Sequence, residues 1–270
     1  MQIKENSSIL IPVDFSKQSL VAIRQTFGLA RFMHSKIILM HADPNSNTDH
    51  QAELEQLAAS TKMESGLEVD FINLQGDVYE HTDKKAEEMG SGLIVVGLDT
   101  QVRFRNFLGG NAVSKFIDHA PCPIITIRSS DNRNDCKNIL IAIDLSPESR
   151  EKVGPVIQLA RYYQAAVKVV SVFPPNDEKY ENELLPYVNQ VKRFIKESGI
   201  PCSNKSIPSN HLPEAIVEYA HNNECDLIVQ MNKKDGLFGV SPSHRVVEMS
   251  KIPVMSINPS KKVSVRTGIH

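Results

Sequence analysis

Most short motifs that mark a reactive site are missing from this 270-residue chain. There is no G-x-S-x-G elbow, no G-x-x-x-x-G-K-[ST] phosphate loop and no G-x-G-x-x-G after the first apolar run. Their absence removes the sequence case for a nucleophilic serine hydrolase, a P-loop nucleotidase or a dinucleotide-binding dehydrogenase. Four cysteines, Cys122, Cys136, Cys202 and Cys225, form no C-x-x-C pair and are too sparse for a disulfide framework, so reduced structural thiols are expected. The nine histidines include no H-x-H or H-E-x-x-H spacing, and no metal site is expected from them. No apolar run approaches the roughly 18 residues of a spanning helix, and Met1–Ser8 is polar ahead of an apolar run too short for a signal-peptide core. A formal charge of −2 gives no case for nucleic acid or an anionic membrane as partner. A soluble cytoplasmic protein is the expectation.

What is present is a duplication. Ser8-Ile9-Leu10-Ile11-Pro12-Val13-Asp14-Phe15-Ser16 returns as Asn138-Ile139-Leu140-Ile141-Ala142-Ile143-Asp144-Leu145-Ser146, an offset of 130 residues. The same offset relates Leu29-Ala30-Arg31 to Leu159-Ala160-Arg161, and Pro123–Ile127 to Pro253–Ile257. Leu93–Gly97 faces Leu227–Met231 at an offset of 134, so the second half gains four residues and then loses them in the following loop. Gains and losses of that kind belong in loops of a shared fold. Each half is long enough to bury its own core. The polar run Ser129–Asp135 separates them, giving domains over 1–130 and 136–260 and a polar tail over 261–270.

Within each half, short β-branched runs alternate with longer amphipathic segments, as strands and helices do around a parallel sheet. Strands are expected at Ile9–Val13, Lys36–His41, Leu67–Leu74, Leu93–Gly97 and Ile124–Ile127. Their second-half counterparts are Ile139–Ile143, Val167–Val172, Ser203–Ile207, Leu227–Met231 and Val254–Ile257. Helices are expected at Lys17–His34, Asp49–Ser65, Asp77–Met89 and Asn111–His119, then at Pro147–Gln164, Asn182–Ser198, Leu212–Asn223 and Ser243–Ser250. Ser16 and Ser146 stand where N-caps belong.

Four pieces carry a resemblance: Val13-Asp14-x-Ser16, the Gly76-Asp77 turn before a helix with Ala86, the strand Leu93-Ile94-Val95-Val96-Gly97, and Gly110-Asn111 opening a segment that runs to His119-Ala120-Pro121-Cys122-Pro123. In this order and spacing the chain resembles the universal stress protein family in its tandem, two-domain form. The resemblance implies two Rossmann-like α/β domains of the adenine-nucleotide alpha-hydrolase type, each a five-stranded parallel sheet flanked by helices. It implies a stress-response module in a family where some members bind ATP and others do not, with Mg²⁺ accompanying the nucleotide if it is ATP. It also implies that the last strands of the two halves pair within one chain. The protein partner is not identified by the sequence, and a homodimer of the whole chain is left open.

Open parallel sheets bind ligands beyond the carboxyl ends of their strands, where the winding reverses. A carboxylate there accepts hydrogen bonds from ribose hydroxyls or an adenine amino group, and free helix N–H groups suit phosphates. Val13, Asp14, Gly97, Thr100, Gly110 and Asn111 are therefore the candidate nucleotide contacts. The ATP-binding loop of the family, G-x2-G-x9-G-[S/T], keeps its spacing here at Gly97, Thr100, Gly110 and Asn111 while two of the four residues change. A positive φ at Thr100 would cost about 1–3 kcal/mol. Asn111 still caps a helix and can donate to phosphate, and Arg103 and Arg105 add charge. In the second half Gly97 becomes Met231, which would intrude on such a site, and the loop near Lys233 and Lys234 has no glycine pair at the required spacing. No catalytic residue is expected, because hydrolysis needs a positioned base and Asp14 suits the nucleoside end. Two readings stay open: a nucleotide-gated regulatory module without efficient turnover, and a nucleotide-independent, chaperone-like interaction protein whose sites have decayed. Asp14 and Asp144 have a plain alternative role too, since Asp followed two residues later by Ser often closes a strand-to-helix turn.

Overall fold

The computed structural model describes residues 3–43, 49–98, 112–128, 135–232 and 241–259. The first half runs β1 (Ser8–Pro12), α1 (Lys17–Phe32), β2 (Lys36–Asp43), α2 (Gln51–Ser65), β3 (Val69–Gln75), α3 (Val78–Glu88), β4 (Leu93–Gly97), α4 (Ala112–His119) and β5 (Ile124–Ile127). The second runs β6 (Asn138–Ala142), a 3₁₀ turn (Pro147–Arg150), α5 (Val153–Tyr163), β7 (Ala166–Phe173), α6 (Glu178–Glu197), β8 (Cys202–Pro208), α7 (Leu212–Asn222), β9 (Leu227–Met231), α8 (Pro242–Met249) and β10 (Val254–Ile257).

Among the described residues the strands form one sheet in the order β3-β2-β1-β4-β5-β10-β9-β6-β7-β8. Pairing is parallel within each half and antiparallel only at the seam, where Thr126 faces Val254, Ile125 faces Met255 and Ile124 faces Ser256. The two expected five-stranded sheets are thus halves of a continuous ten-stranded one. Alternation along each strand feeds two cores. Ile9, Ile11, Ile37 and Leu39 point to the layer of α1, α2, α5 and α6, while Leu10, Ile38, Met40 and Ile94 point to the layer of α3, α4, α7 and α8. Covered on both faces, β1 and β4 are buried along their whole length. The outermost strands β3 and β8 are half-buried or exposed except at Val69, and the exposed Asp70, Ser203 and Lys205 blunt the free edges.

The halves are joined by more than the seam. Ile125, Ile127, Met255 and Ile257 lie in a single core cluster, and Phe32 stacks on Tyr162 with ring centroids 4.6 Å apart. Asp118 accepts from Asn232 Nδ2 at 2.7 Å and from His244 Nε2 at 3.0 Å. Asn258 Nδ2 donates to the carbonyls of Ile117 and Ala120, each at 2.9 Å. Burial raises the Asp118 pKa, but the hydrogen bonds from His244 and Asn232 outweigh it, and the net shift is downward.

The expected helix over Pro147–Gln164 is broken. Pro155 has no N–H, and its ring excludes an α-helical carbonyl one turn earlier, at Glu151. The chain therefore closes a 3₁₀ turn, with the Glu151 N–H donating to the Glu148 carbonyl at 2.9 Å, and begins α5 at Val153 with Pro155 in the first turn. In the first half α1 starts six residues earlier in register and is capped by Ser16, whose Oγ accepts from the Ser19 N–H at 3.2 Å.

Candidate functional site

In the first half the winding reverses between β1 and β4, because the chain steps outward from β1 to β2 and β3 and then crosses to β4 and β5. Ile9 pairs with Leu93 and Leu10 with Ile94, and counting along that register brings Val13 level with Gly97. Two expected contacts, Asp14 and Gly97, thus lie on neighbouring strand ends at the switch point. Val13 is buried, with its N–H donating to the Met40 carbonyl at 2.8 Å. Asp14 is exposed, and its Oδ1 accepts from the Ser16 N–H at 3.0 Å, closing the Asx turn that leads into α1. Thr100, Gly110 and Asn111, like Arg103, Arg105, Lys233 and Lys234, lie outside the described residues.

Gly97 has a packing reason to be glycine. A Cβ there would stand 2.2 Å from the Gln18 carbonyl oxygen, 2.3 Å from its carbon and 2.6 Å from the Ser19 nitrogen, all backbone of the first turn of α1. In the second half Met231 fills this position and is buried in the core cluster with Ile143 and Val153. The late start of α5 and the 3₁₀ turn before it are the matching change: helix backbone that approaches Gly97 closely is replaced by a side chain. Met231, expected from its position to intrude on a ligand site, has its side chain in the core.

The turn after Asp144 is also built differently. The Ser146 N–H donates to Asp144 Oδ1 at 2.8 Å, repeating the first-half turn, but the Ser146 hydroxyl donates to that oxygen as well and does not cap the 3₁₀ turn. Ser149 Oγ accepts from the Asp144 N–H at 3.1 Å and from Lys152 Nζ at 2.9 Å. Lys152 is buried, and at the offset of 130 its first-half counterpart is Ala22. This change is legible in the aligned repeat, where a lysine replaces a core alanine.

A group of residues that the spacing rules passed over gathers beside Asp14. His41 and Asp43, at the end of β2, meet His50, which precedes α2. Their ligand-type atoms all lie within 4.8 Å of one another. Asp43 is fully buried, and Asp43 Oδ1 faces His41 Nε2 at 3.3 Å and, closer still, His50 Nδ1. Asp43 Oδ2 accepts from Asn73 Nδ2 at 3.3 Å and from the His50 N–H at 3.4 Å. Burial pushes the Asp43 carboxyl up, but the His50 side chain and N–H, Asn73 and His41 bring it down to about 2. The hydrogen bond to Asp43 raises the His50 pKa in turn. The Phe15 ring packs on both imidazoles, with centroids 4.9 Å from His41 and 5.5 Å from His50. Phe15 takes a left-handed φ of 58°, sparsely populated for a bulky residue, while Leu145 in the second half is not among the residues with positive φ. The only sequence signal was H-x-D at a strand end with a further histidine at the next helix, a pattern with little specificity.

The four cysteines are free and carry no such chemistry. Burial raises each thiol, Cys122 to about 12 and Cys202 and Cys225 to about 11, so they stay protonated at neutral pH. Among the described residues no helix is long and apolar enough to cross a membrane.

The sequence pattern of the universal stress protein family matches residues 5–128 and 136–258. Universal stress protein C of Escherichia coli (strain K12) is 22% identical over 134 residues, covering 44% of this chain and 94% of that protein. A solved universal stress protein from Archaeoglobus fulgidus DSM 4304 shares the fold across both halves, with a TM-score of 0.77 at 16% identity over 94% of this chain and 98% of its own. Another from Archaeoglobus fulgidus, solved in complex with dAMP, is 19% identical, with a TM-score of 0.38 over 44% of this chain and 96% of that one.

Proposed function

Since the chain belongs to the universal stress protein family, we propose that its first half is a regulatory module that holds an adenine nucleotide, ATP with Mg²⁺ or a related ligand, without efficient turnover. The observation that carries this reading is the placement of Asp14: an exposed carboxylate at the switch point, level with the end of β4, with one oxygen oriented by the Ser16 N–H. A carboxylate in that position suits ribose hydroxyls or an adenine amino group. Thr100, Gly110 and Asn111, between β4 and α4 in the sequence, are the proposed phosphate contacts. The second half is the weaker candidate, because Ser146 already donates twice to Asp144 and the β9 end carries Met231. A nucleotide-independent interaction protein is favoured by one specific observation, the close approach of Gln18 to Gly97, which accounts for that glycine without any ligand.

The two readings separate on purified full-length protein. Denaturing it should release adenine nucleotide detectable by absorbance and mass, and millimolar ATP with Mg²⁺ should raise the melting temperature, since a ligand that binds only the native state stabilises by RT ln(1 + [L]/Kd). Asp14→Asn, which keeps the acceptor for Ser16 and removes the charge, should lose both signals. Asp144→Asn should keep them. Retention of nucleotide by Asp14→Asn sinks the assignment, and the lack of either signal in the unaltered protein favours the interaction reading.

A further inference from the structure

We propose that His41, Asp43 and His50 form a binding site for one divalent transition-metal ion of the zinc type, with His41 Nε2, Asp43 Oδ1 and His50 Nδ1 as ligands. The inference starts from a pairing of acceptors. His41 Nδ1 lies 2.7 Å from the Val13 carbonyl oxygen. A carbonyl only accepts, so the ring hydrogen is on Nδ1. In a neutral imidazole that leaves a lone pair on Nε2, and this lone pair faces Asp43 Oδ1 at 3.3 Å. Two acceptors at this distance need a shared positive charge, which is either a proton or a metal ion.

The surroundings favour the metal. A metal-ligating histidine characteristically donates its other ring N–H to a backbone carbonyl or carboxylate, as His41 does to Val13. The carboxylate is divided in the same way: Oδ2 takes the N–H groups of Asn73 and His50, while Oδ1 is turned to both imidazoles. Bonds of about 2.0–2.1 Å in a tetrahedral site separate ligand atoms by roughly 3.3 Å. The His41–Asp43 separation of 3.3 Å already meets that edge. His50 stands closer to Asp43 and would have to withdraw, and its side chain is 35% exposed, so it has room to do so. Two imidazoles and one carboxylate select zinc and its neighbours over Mg²⁺ or Ca²⁺, which prefer all-oxygen sets. Three protein ligands leave a further position for water or an external donor.

The repeat supplies an internal control. At the offset of 130 His41 and Asp43 become Ser171 and Phe173 and Phe15 becomes Leu145, while the N-cap position that His50 holds before α2 is held by Asp177 before α6. Ser171 and Ser206 share a hydrogen bond of 3.0 Å where the first half pairs His41 with Asn73 in the strand register. The constellation therefore is not a requirement of the fold.

The test uses the full chain, stripped with a chelator and kept free of nucleotide, so its outcome does not depend on the nucleotide reading. Zn²⁺ is titrated in competition with a chromophoric chelator, and Co²⁺ is added separately to read its visible d–d bands. The unaltered protein should take up one Zn²⁺ and give the intense bands of low-coordinate Co²⁺. His50→Ala removes a half-exposed ligand, and Asp43→Asn keeps volume and shape; each should weaken Zn²⁺ binding by at least about tenfold. His221→Ala, an exposed histidine in the second half, should leave it unchanged. Far-UV circular dichroism verifies that His50→Ala is folded. Failure of the unaltered chain to bind Zn²⁺ would mean that a proton alone bridges the pair and would overturn the proposal, as would a folded His50→Ala that binds as tightly as the parent.

Discussion

The two halves solve the junction between first strand and first helix in different ways, and the difference shows what the shared aspartate does. In the first half α1 starts at once, its backbone is pressed against Gly97, and Asp14 spends one oxygen on the Ser16 N–H while remaining exposed. In the second half Met231 occupies the corresponding space, the helix starts later, and Asp144 is held by the backbone and hydroxyl of Ser146, with Ser149 on its own N–H. The turn role is common to both copies. Accessibility at the switch point, which a ligand requires, is better kept in the first.

The largest effect should come from closing the space that separates the halves' solutions. Gly97→Ala puts a methyl 2.2 Å from the Gln18 carbonyl oxygen and should cost about 3 kcal/mol or more, read as a fall in the urea midpoint, or prevent folding. Met231→Ala should cost about 2–3 kcal/mol through the cavity it leaves. Tolerance of Gly97→Ala at the level of a surface change would break the comparison, because the early start of α1 would then not depend on that glycine.

Next comes the contact between halves. Asp118→Ala leaves the Asn232 and His244 donors without their carboxylate and should cost about 1–3 kcal/mol at neutral pH. The sign follows from the lowered Asp118 pKa: the carboxylate's contribution is present above its ordinary value of 3.8 and is lost as pH falls through the lower folded value. Urea midpoints of parent and variant should therefore converge at acid pH. A difference that persists unchanged there would mean packing, not charge, is at stake.

The smallest effect sharpens the reading of the paired serines. Ser16→Ala removes a working N-cap and should cost about 1 kcal/mol. Ser146→Ala removes a hydroxyl that bonds Asp144 and does not cap the turn, and should cost less in chemical denaturation. Equal costs would remove this distinction between the halves.

Much of the fold is legible in the residues. β-branched runs such as Leu93–Val96 and Ile139–Ile141 can be covered on both faces and so read directly as inner strands, and Ser16 before Lys17 marks a helix start by its capping chemistry. The break before α5 was legible in principle from Pro155, but the strong repeat with Lys17–Phe32 masked it. The candidate site was legible only in part. Asp14 and Gly97 stood out because they follow strands in a known motif order, whereas His41, Asp43 and His50 have no diagnostic spacing, since they come from a strand end and from the approach to a helix.

Residue order alone was enough to establish two copies of an alternating α/β unit and an asymmetry between Gly97 and Met231, because periodicity and repetition are local properties of a chain. Long-range packing was needed for the rest. The antiparallel seam of β5 and β10, implied by the family resemblance but not by residue order, merges two sheets into one. The crowding of Gln18 on Gly97 gives that glycine a structural purpose. The meeting of His41, Asp43 and His50 around one buried carboxylate oxygen depends on where β2 ends and where α2 docks. Each of these depends on distances across the fold, and sequence spacing does not encode such distances.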